Sequence, residues 1–203
     1  MPANANSNTT LKAISAGGPD DVWIVGTFLD SANEQNETFS EHFNGTAWTV
    51  VPMPMVNSSN VNAFFQFNGI KANSASDVWA VGESGVTDEP GSQQTLIEHF
   101  NGTAWSIVPS PSPGSIDDLT GVTTSNAADN VWAVGSDAPT GTSTRQTLTM
   151  NWNGSSWTVV ASPGTGSTDA LNAVATNPGA AIVWAVGESG PAGSFNPLVL
   201  QNG

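Results

Sequence analysis

Four short apolar runs of similar sequence recur along the chain, and each contains a tryptophan and ends at a glycine. They lie at 22–26, 78–82, 131–135 and 183–187. Their tryptophans are separated by 56, 53 and 52 residues. Each run is short, continuously apolar and bounded by turn residues, which is typical of a strand covered on both faces. A repeat of this length with strand signals predicts an array such as a β-propeller.

Residues 119–163 show the content of one repeat. Alternating residues at 119–122 predict a first strand, the apolar run predicts a second, and alternation at 146–152 predicts a third. Asn153-Gly154 then predicts a hairpin turn, because a two-residue turn of this type needs positive φ. Residues 156–160 are predicted to form a fourth strand. No helical periodicity interrupts the pattern, so each repeat is predicted to be one four-stranded antiparallel blade.

The sequence therefore predicts one all-β domain over 1–203, a β-propeller with four four-stranded blades. The blades are expected at about 11–54, 67–113, 119–163 and 171–203. A second tryptophan follows the first in three repeats, at Trp48, Trp105 and Trp157, but the fourth repeat ends before that position. The last blade is thus expected to lack its outer strand. Residues 1–10 could complete it, another copy could supply an edge, or the chain could be part of a larger propeller; these alternatives stay open.

The segments 76–82 and 95–105 resemble a known repeat. They are similar to the bacterial extracellular propeller repeats of the type "sDVWAVG…iehwnGtsWs", which are distantly similar to sialidase-type and photosystem-assembly-factor propellers. The likeness recurs four times and covers nearly the whole chain. Ile182 and Asn130 stand where the repeat has Asp. The resemblance implies a propeller fold and an extracellular setting, and it implies little about activity.

The charge of the chain limits the classes of partner that it can bind. Three basic residues face 17 acidic ones, so the net charge is −14. Such a chain repels phosphate backbones and anionic lipid, so nucleic acid and a membrane surface are poor partners and no nucleic-acid binding is expected. No apolar run approaches the roughly 20 residues of a spanning helix, so no membrane insertion is expected. Few Lys and many Ser, Thr, Asn and Gly residues favour an extracellular or cell-surface location. The chain contains no cysteine, so disulfide bonds give no information about the compartment.

Catalytic and metal chemistry receive little support. The recurring tryptophans are interpreted as core residues, and two histidines in separate repeats, His42 and His99, make no zinc site. There is no Tyr, only one Arg, and no nucleophile motif. Acidic pairs such as Asp117-Asp118 are expected in solvated loops. The sequence therefore predicts no enzyme, no cofactor and no metal, although 30–37 clusters oxygen ligands of the kind calcium uses.

Binding is expected on the variable connections between the second and third strands, at 27–37, 83–94, 136–145 and 188–196. Before the second blade, Phe64 and Phe65 could be an exposed contact, plug the channel or extend the first strand. The candidate ligand-binding residues on these connections are Asp30, Glu34, Asp88, Glu89 and Asp137, and Phe64 and Phe65 are candidates on the segment before the second blade.

Six Asn-x-Ser/Thr sequons are candidate glycosylation sites. They are Asn8, Asn36, Asn44, Asn57, Asn101 and Asn153. Three of the six coincide with the Asn-Gly turns, which explain the asparagine without a glycan.

The leading functional hypothesis is a non-catalytic extracellular propeller that acts as an interaction or structural module. Its expected partners are other protein chains, including copies of itself through the incomplete blade, in oligomers or filaments. The alternative is a carbohydrate-binding, lectin-like propeller whose partners are glycans. A hydrolase would need acidic residues that converge in the central channel.

Overall fold

The computed structural model of the chain describes residues 5–30, 36–54, 62–125, 129–142, 144–164, 168–177, 182–191 and 194–202. These parts contain strands and no helix, which confirms the all-β prediction. The fifteen strands are β1 (Ala5–Gly18), β2 (Asp21–Asp30), β3 (Asn36–Phe43), β4 (Trp48–Val51), β5 (Ala63–Ser74), β6 (Asp77–Val86), β7 (Gln94–Phe100), β8 (Trp105–Ile107), β9 (Ile116–Thr124), β10 (Val131–Ala138), β11 (Gln146–Trp152), β12 (Trp157–Val159), β13 (Asp169–Thr176), β14 (Val183–Ser189) and β15 (Asn196–Asn202).

Consecutive strands pair antiparallel in four groups, which we call units one to four. Unit one is β1–β4, unit two is β5–β8, unit three is β9–β12 and unit four is β13–β15. A single parallel pairing of Asn36 with Phe64 joins units one and two. Hydrogen bonding therefore yields three sheets, of eight, four and three strands, where the sequence predicts four separate blades.

The Asn-Gly turns connect the third and fourth strands of units one to three, as predicted. Gly45, Gly102 and Gly154 have φ of 87°, 89° and 92°. The Asn44 side-chain oxygen accepts hydrogen bonds from the backbone N–H groups of Thr46 and Ala47, each at 3.1 Å. The turn is thus stabilised twice, by a glycine that tolerates positive φ and by an asparagine that caps the chain reversal.

The cores lie between the units. Between units one and two, Trp23 and Val25 of β2 pack with Phe67, Ile70 and Trp105 of the next unit. The same arrangement recurs between units two and three, and between units three and four. Units two and three therefore use both faces, one against the unit before and one against the unit after, which explains their continuously apolar second strands.

The first strands of successive units are neighbours: β1 packs on β5, β5 on β9 and β9 on β13. Within the described strands, β13 does not return to pack on β1. The series of units is therefore open between its two ends.

The structure places two segments whose positions the sequence left open. β1 begins at Ala5 and pairs with β2 from there, with Thr9 opposite Phe28. Residues 5–10 thus extend the first strand of unit one, while 1–4 lie outside the described residues. β5 begins at Ala63, so Phe64 and Phe65 extend the first strand of unit two. Of the described residues, none form a helix long and apolar enough to cross a membrane.

Candidate functional site

One edge of the molecule gathers the beginnings of β5 and β9 and the ends of β6 and β10. Antiparallel pairing places Ala63 opposite Val86, and Ile116 opposite Ala138. The connection after β6 crosses to the neighbouring unit, where Gln93 forms a parallel bridge with Ile116. Units two and three are therefore joined at this edge by backbone hydrogen bonds as well as by packing.

A cavity of about 260 Å³ opens at this edge. Phe64, Val86 and Ile116 give it apolar walls, and Glu89 and Gln93 add polar ones. The connection that forms its rim is held in place by Ser92. The Ser92 hydroxyl accepts a hydrogen bond from the Val86 N–H at 2.9 Å and donates one to the Val86 carbonyl at 3.1 Å.

A network of carboxylates lies beside the cavity. Glu83 of β6 accepts hydrogen bonds from the side-chain amides of Gln66 and Gln93. Gln93 therefore belongs to both the cavity wall and the network. Its amide N–H₂ group donates to Glu83, so a ligand that displaces Gln93 would also disturb that carboxylate.

Asp118 of β9 forms the second half of the network. It accepts a hydrogen bond from Ser136 at 2.7 Å and forms an ion pair with Arg145. Arg145 also donates to the Ser136 hydroxyl. The charges of Asp118 and Arg145 act on Glu83 with opposite sign. Lys12 acts on Glu83 in the same direction as Arg145, so charges of both signs surround this carboxyl group.

Burial perturbs three carboxyl groups of this edge. It raises the pKa of Glu83 and of Asp137 above the usual range. It also raises the pKa of Asp117 to about 6, although the Gly114 N–H opposes this with hydrogen bonds of 3.0 and 3.1 Å. The negative charges of Asp137 and Asp118 add to the same upward shift. Perturbed carboxyl groups gathered at one edge are a frequent property of functional sites.

The structure brings together two of the predicted ligand-binding residues and separates the others. Phe64 and Glu89 line the cavity. Asp88 is exposed on the same connection and accepts a hydrogen bond from Asn62 at 2.9 Å. Asp137 is buried near Asp117.

The remaining candidates do not reach the cavity. Phe65 is a buried core residue between units one and two, and Asp30 is buried at the end of β2. Glu34 lies outside the described residues. Of the sequons, Asn57 also lies outside them, and Asn8, Asn36, Asn44, Asn101 and Asn153 are exposed.

The network residues Gln66, Glu83, Gln93, Asp118 and Arg145 were not predicted as a site from the sequence. Asp117-Asp118 was predicted to lie in a solvated loop, because the third blade was expected to begin at residue 119. β9 in fact begins at Ile116, so both acidic residues are strand residues, and Asp117 is fully buried.

The two histidines belong to a different, repeated contact. The His42 ring stacks on Trp23 with centroids 4.3 Å apart, and its Nε2 lies 2.7 Å from Oδ1 of Asp21. His99, Trp79 and Asp77 repeat the arrangement in unit two at 4.2 and 2.8 Å. Unit three replaces the pair with two asparagines, Asn151 and Asn130, whose side chains are hydrogen-bonded at 2.7 Å. Across the part of the chain that the structure describes, no group of three His, Cys, Asp or Glu residues is arranged to hold a metal ion.

Several solved structures are similar to the chain. A structure of YCF48 bound to D1 peptide has a TM-score of 0.51 at 12% identity and matches 97% of this chain and 55% of its own. A mutant GH32 β-fructofuranosidase of Bombyx mori in complex with sucrose has a TM-score of 0.51 at 11% identity, with 94% and 46% covered. The GH93 α-L-arabinofuranosidase of Fusarium graminearum with arabinobiose has a TM-score of 0.51 at 16% identity, with 98% and 64% covered.

These matches show that the fold is propeller-like, in agreement with the distant propeller relatives that the repeat suggested. The chain spans about half to two thirds of the length of these structures. No protein-family model matches the chain, and no curated protein matches its sequence.

The prediction that the chain is no enzyme is contradicted. It relied on the missing tyrosine and arginine cluster of sialidase-type propellers and on acids that were expected in solvated loops. Two of the similar structures are glycosidases in complex with sugars, so propeller-like structures include enzymes. The acids are also not in solvated loops: Glu83, Asp117, Asp118 and Asp137 are strand residues at one edge.

Proposed function

We propose that the four units are four blades of a propeller, and that the chain binds a saccharide at the cavity between units two and three. The observation that carries the proposal is the cavity itself. It combines an aromatic wall, Phe64, with the carboxylate of Glu89 and the amide of Gln93. An apolar surface beside a few placed polar groups is the usual make-up of a small-molecule site.

The chemistry of the walls fits a sugar. The C–H face of a sugar ring packs on an aromatic side chain, and its hydroxyl groups need both donors and acceptors. Glu89 accepts hydrogen bonds, while the Gln93 amide keeps one N–H and its carbonyl oxygen besides the bond to Glu83. Phe64 and Ile116 supply the apolar contact. A flat polar surface would lack that contact, and a wholly apolar cavity would leave the hydroxyls unpaired.

The charge of the chain selects among saccharides. A net charge of −14, with carboxylates beside the cavity, disfavours sulfated, phosphorylated and uronic-acid polymers. The proposed ligand is therefore a neutral saccharide. The similar structures with sucrose and arabinobiose add support at the level of the fold, and that of YCF48 with a peptide shows that such a scaffold also binds other ligands.

A glycan array followed by calorimetric titration tests the proposal. We expect binding to neutral oligosaccharides and a loss of at least tenfold in affinity for Phe64→Ala. The matched control is Phe195→Ala. Phe195 is an exposed aromatic residue between β14 and β15 of unit four and is not part of the cavity. An array without signal, or equal losses in both variants, would contradict the proposal.

Hydrolysis of a glycoside is a second candidate, favoured by the converging carboxyl groups. Glycosidases use one protonated and one ionised carboxyl group. Burial raises the pKa of Glu83, and its charge interacts with that of Asp118, which is paired with Arg145. We expect release of reducing sugar from a substrate panel, abolished by Asp118→Asn. Binding without release would remove this candidate and leave the first intact.

We also propose that the chain acts outside the cell or at its surface. The support is compositional: three basic residues in 203, and exposed polar turns rich in Asn, Ser and Thr. Fractionation of the native host tests this location. Recovery of the chain with the cytoplasmic enzymes would contradict it.

A further inference from the structure

The exposure of one apolar position changes abruptly at the start of the chain. The residue that pairs with the glycine of the second strand is Leu11, Phe67, Leu119 and Leu171 in units one to four. It is fully buried in units two, three and four, but Leu11 is 59% exposed. Ile14 of unit one is 68% exposed, although its counterparts in the later units are buried or half-buried.

The outer strand of unit one shows the same difference. Trp105 and Trp157 are buried against the preceding unit, whereas Trp48 at the corresponding place is 45% exposed. We call the surface formed by Leu11, Ile14 and Trp48 the receiving face. In units two and three this surface is covered by the unit before.

The opposite surface is exposed at the other end of the structure. Trp23 and Trp79 are buried against the following unit, but Trp184 of unit four is 44% exposed. Val186 and Val199 beside it are also exposed. We call the surface formed by Trp184, Val186 and Val199 the leading face.

These two faces are the two halves of a contact that the chain already makes internally. Between units one and two, the leading residues Trp23 and Val25 pack with the receiving residues Phe67, Ile70 and Trp105. Units two and three repeat this packing with their own residues. The exposed faces of units four and one therefore carry matching residue types in matching registers.

We propose that a second copy of this chain docks head to tail, its receiving face on the leading face of the first. The contact is heterologous, because two different patches meet, and such a contact closes into a ring when the rotation allows. Two copies would bring eight units together, and closed propellers have typically four to eight blades. The chain spans 46–64% of the similar propellers, so its four units correspond to an arc of such a ring.

Charge sets the conditions under which the pair forms. Each copy carries a net charge of −14, so two copies repel each other at low ionic strength. Salt screens this repulsion and strengthens the burial of apolar surface. Association should therefore increase with salt, opposite to an assembly held by ion pairs.

Sedimentation velocity on the full chain tests the proposal. We expect a species of twice the 20.8 kDa chain mass that gains population with protein concentration and with salt. Ile14→Glu on the receiving face and Val199→Glu on the leading face should each abolish the closed dimer. Both residues are mostly exposed, so neither substitution should lower the melting temperature of the monomer. The control is Val159→Glu, because Val159 is 46% exposed on an inner unit, and this variant should still dimerise.

Mixing the two interface variants separates this contact from a symmetric one. Each variant keeps one intact face, so the mixture should form a heterodimer although neither variant pairs with itself. A strict monomer at all concentrations and salt levels would overturn the proposal. So would a dimer that only one of the two substitutions disrupts, since that pattern indicates like faces in contact. Long open polymers would overturn the closed pair. Saccharide binding is measured independently on the monomeric variants, so failure of either proposal is distinguishable from failure of the other.

Discussion

A Cβ atom added to Gly82 would lie 2.0 Å from the backbone oxygen of Gln66. The same approach recurs at Gly26, Gly135 and Gly187, where the nearest carbonyl oxygen would lie 2.2, 1.9 and 1.9 Å away. At each of these glycines the pairing with the first strand changes register, so a β-bulge presses the two backbones together. The glycine that ends each apolar run is therefore required by backbone contact.

We expect Gly82→Ala to destabilise the fold by about 2 kcal/mol or more, because backbone must move to admit the methyl group. The control is Gly18→Ala, where the added Cβ would meet only Asp21 Cβ at 3.9 Å. Urea denaturation of both variants measures the difference. Equal midpoints for the two variants would show that the bulge accommodates a side chain.

The tryptophans of the second strands should differ sharply in how much they contribute to the free energy of unfolding. Trp79→Ala removes a ring buried between units two and three and should cost about 3–5 kcal/mol. Trp184→Ala removes the equivalent ring from the leading face, where it is substantially exposed, and should cost less than about 1 kcal/mol in the monomer. Chemical denaturation at low protein concentration compares the two. Similar losses would mean that the leading face is covered in the monomer.

Glu98 predicts a dependence of stability on pH. Its carboxyl group is fully buried, has no hydrogen-bond partner among the described residues, and burial raises its pKa from 4.5 to about 8. The folded state therefore holds the proton more tightly than the unfolded state. This contribution to stability is complete below pH about 4.5 and is lost as the pH rises towards 8, by at most about 1.4 kcal/mol per pH unit.

Glu98→Met should remove this dependence. Methionine is the residue at the corresponding place in unit three, where Met150 is fully buried. We expect the variant to match the wild type near pH 4.5 and to exceed its stability at pH 8 by about 2–4 kcal/mol. Urea denaturation at the two pH values measures this. If the variant and the wild type differ in stability by the same amount at pH 4.5 and at pH 8, Glu98 is ionised in the folded chain or its carboxyl group is hydrated.

We expect that Asp77 and His99 can be replaced together by two asparagines with little loss of stability, whereas replacing Asp77 alone destabilises the fold. Asp77→Ala leaves the imidazole without its carboxylate at 2.8 Å and should cost about 1 kcal/mol, since both groups are partly exposed. The double variant Asp77→Asn with His99→Asn recreates the Asn130 and Asn151 pair of unit three. It should recover most of that loss. A double variant less stable than the single one would indicate that the stacking of His99 on Trp79 is the larger contribution.

Periodicity predicted the fold well because each unit repeats the same physical requirements. The apolar runs, the Asn-Gly turns and the second tryptophans mark β2, β6, β10 and β14 and the hairpins that follow them. The first residues of the strands were harder to predict from the sequence. Nothing local distinguishes Ile116 or Ala63 as a first strand residue, because their partners are across the sheet rather than along the chain.

The candidate site was only partly predictable for the same reason. Phe64 and Glu89 stood out as an aromatic and an acid on a variable connection, and both line the cavity. Asp118 and Arg145 meet across unit three, and Glu83 approaches them only through the packing of units two and three. Their convergence depends on distances between residues far apart in sequence, which no motif records. The interpretation of the acids as solvated, and of the chain as no enzyme, failed at this point.

The most direct test of the account is the location of a bound saccharide. Backbone amide NMR of the labelled chain, titrated with the saccharide that the array identifies, reports every perturbed residue. We predict shifts concentrated at Phe64, Gln93 and Ile116, with smaller ones at Glu83 and Asp118. Perturbations confined to other units, or none at saturating saccharide, would contradict a binding site between units two and three.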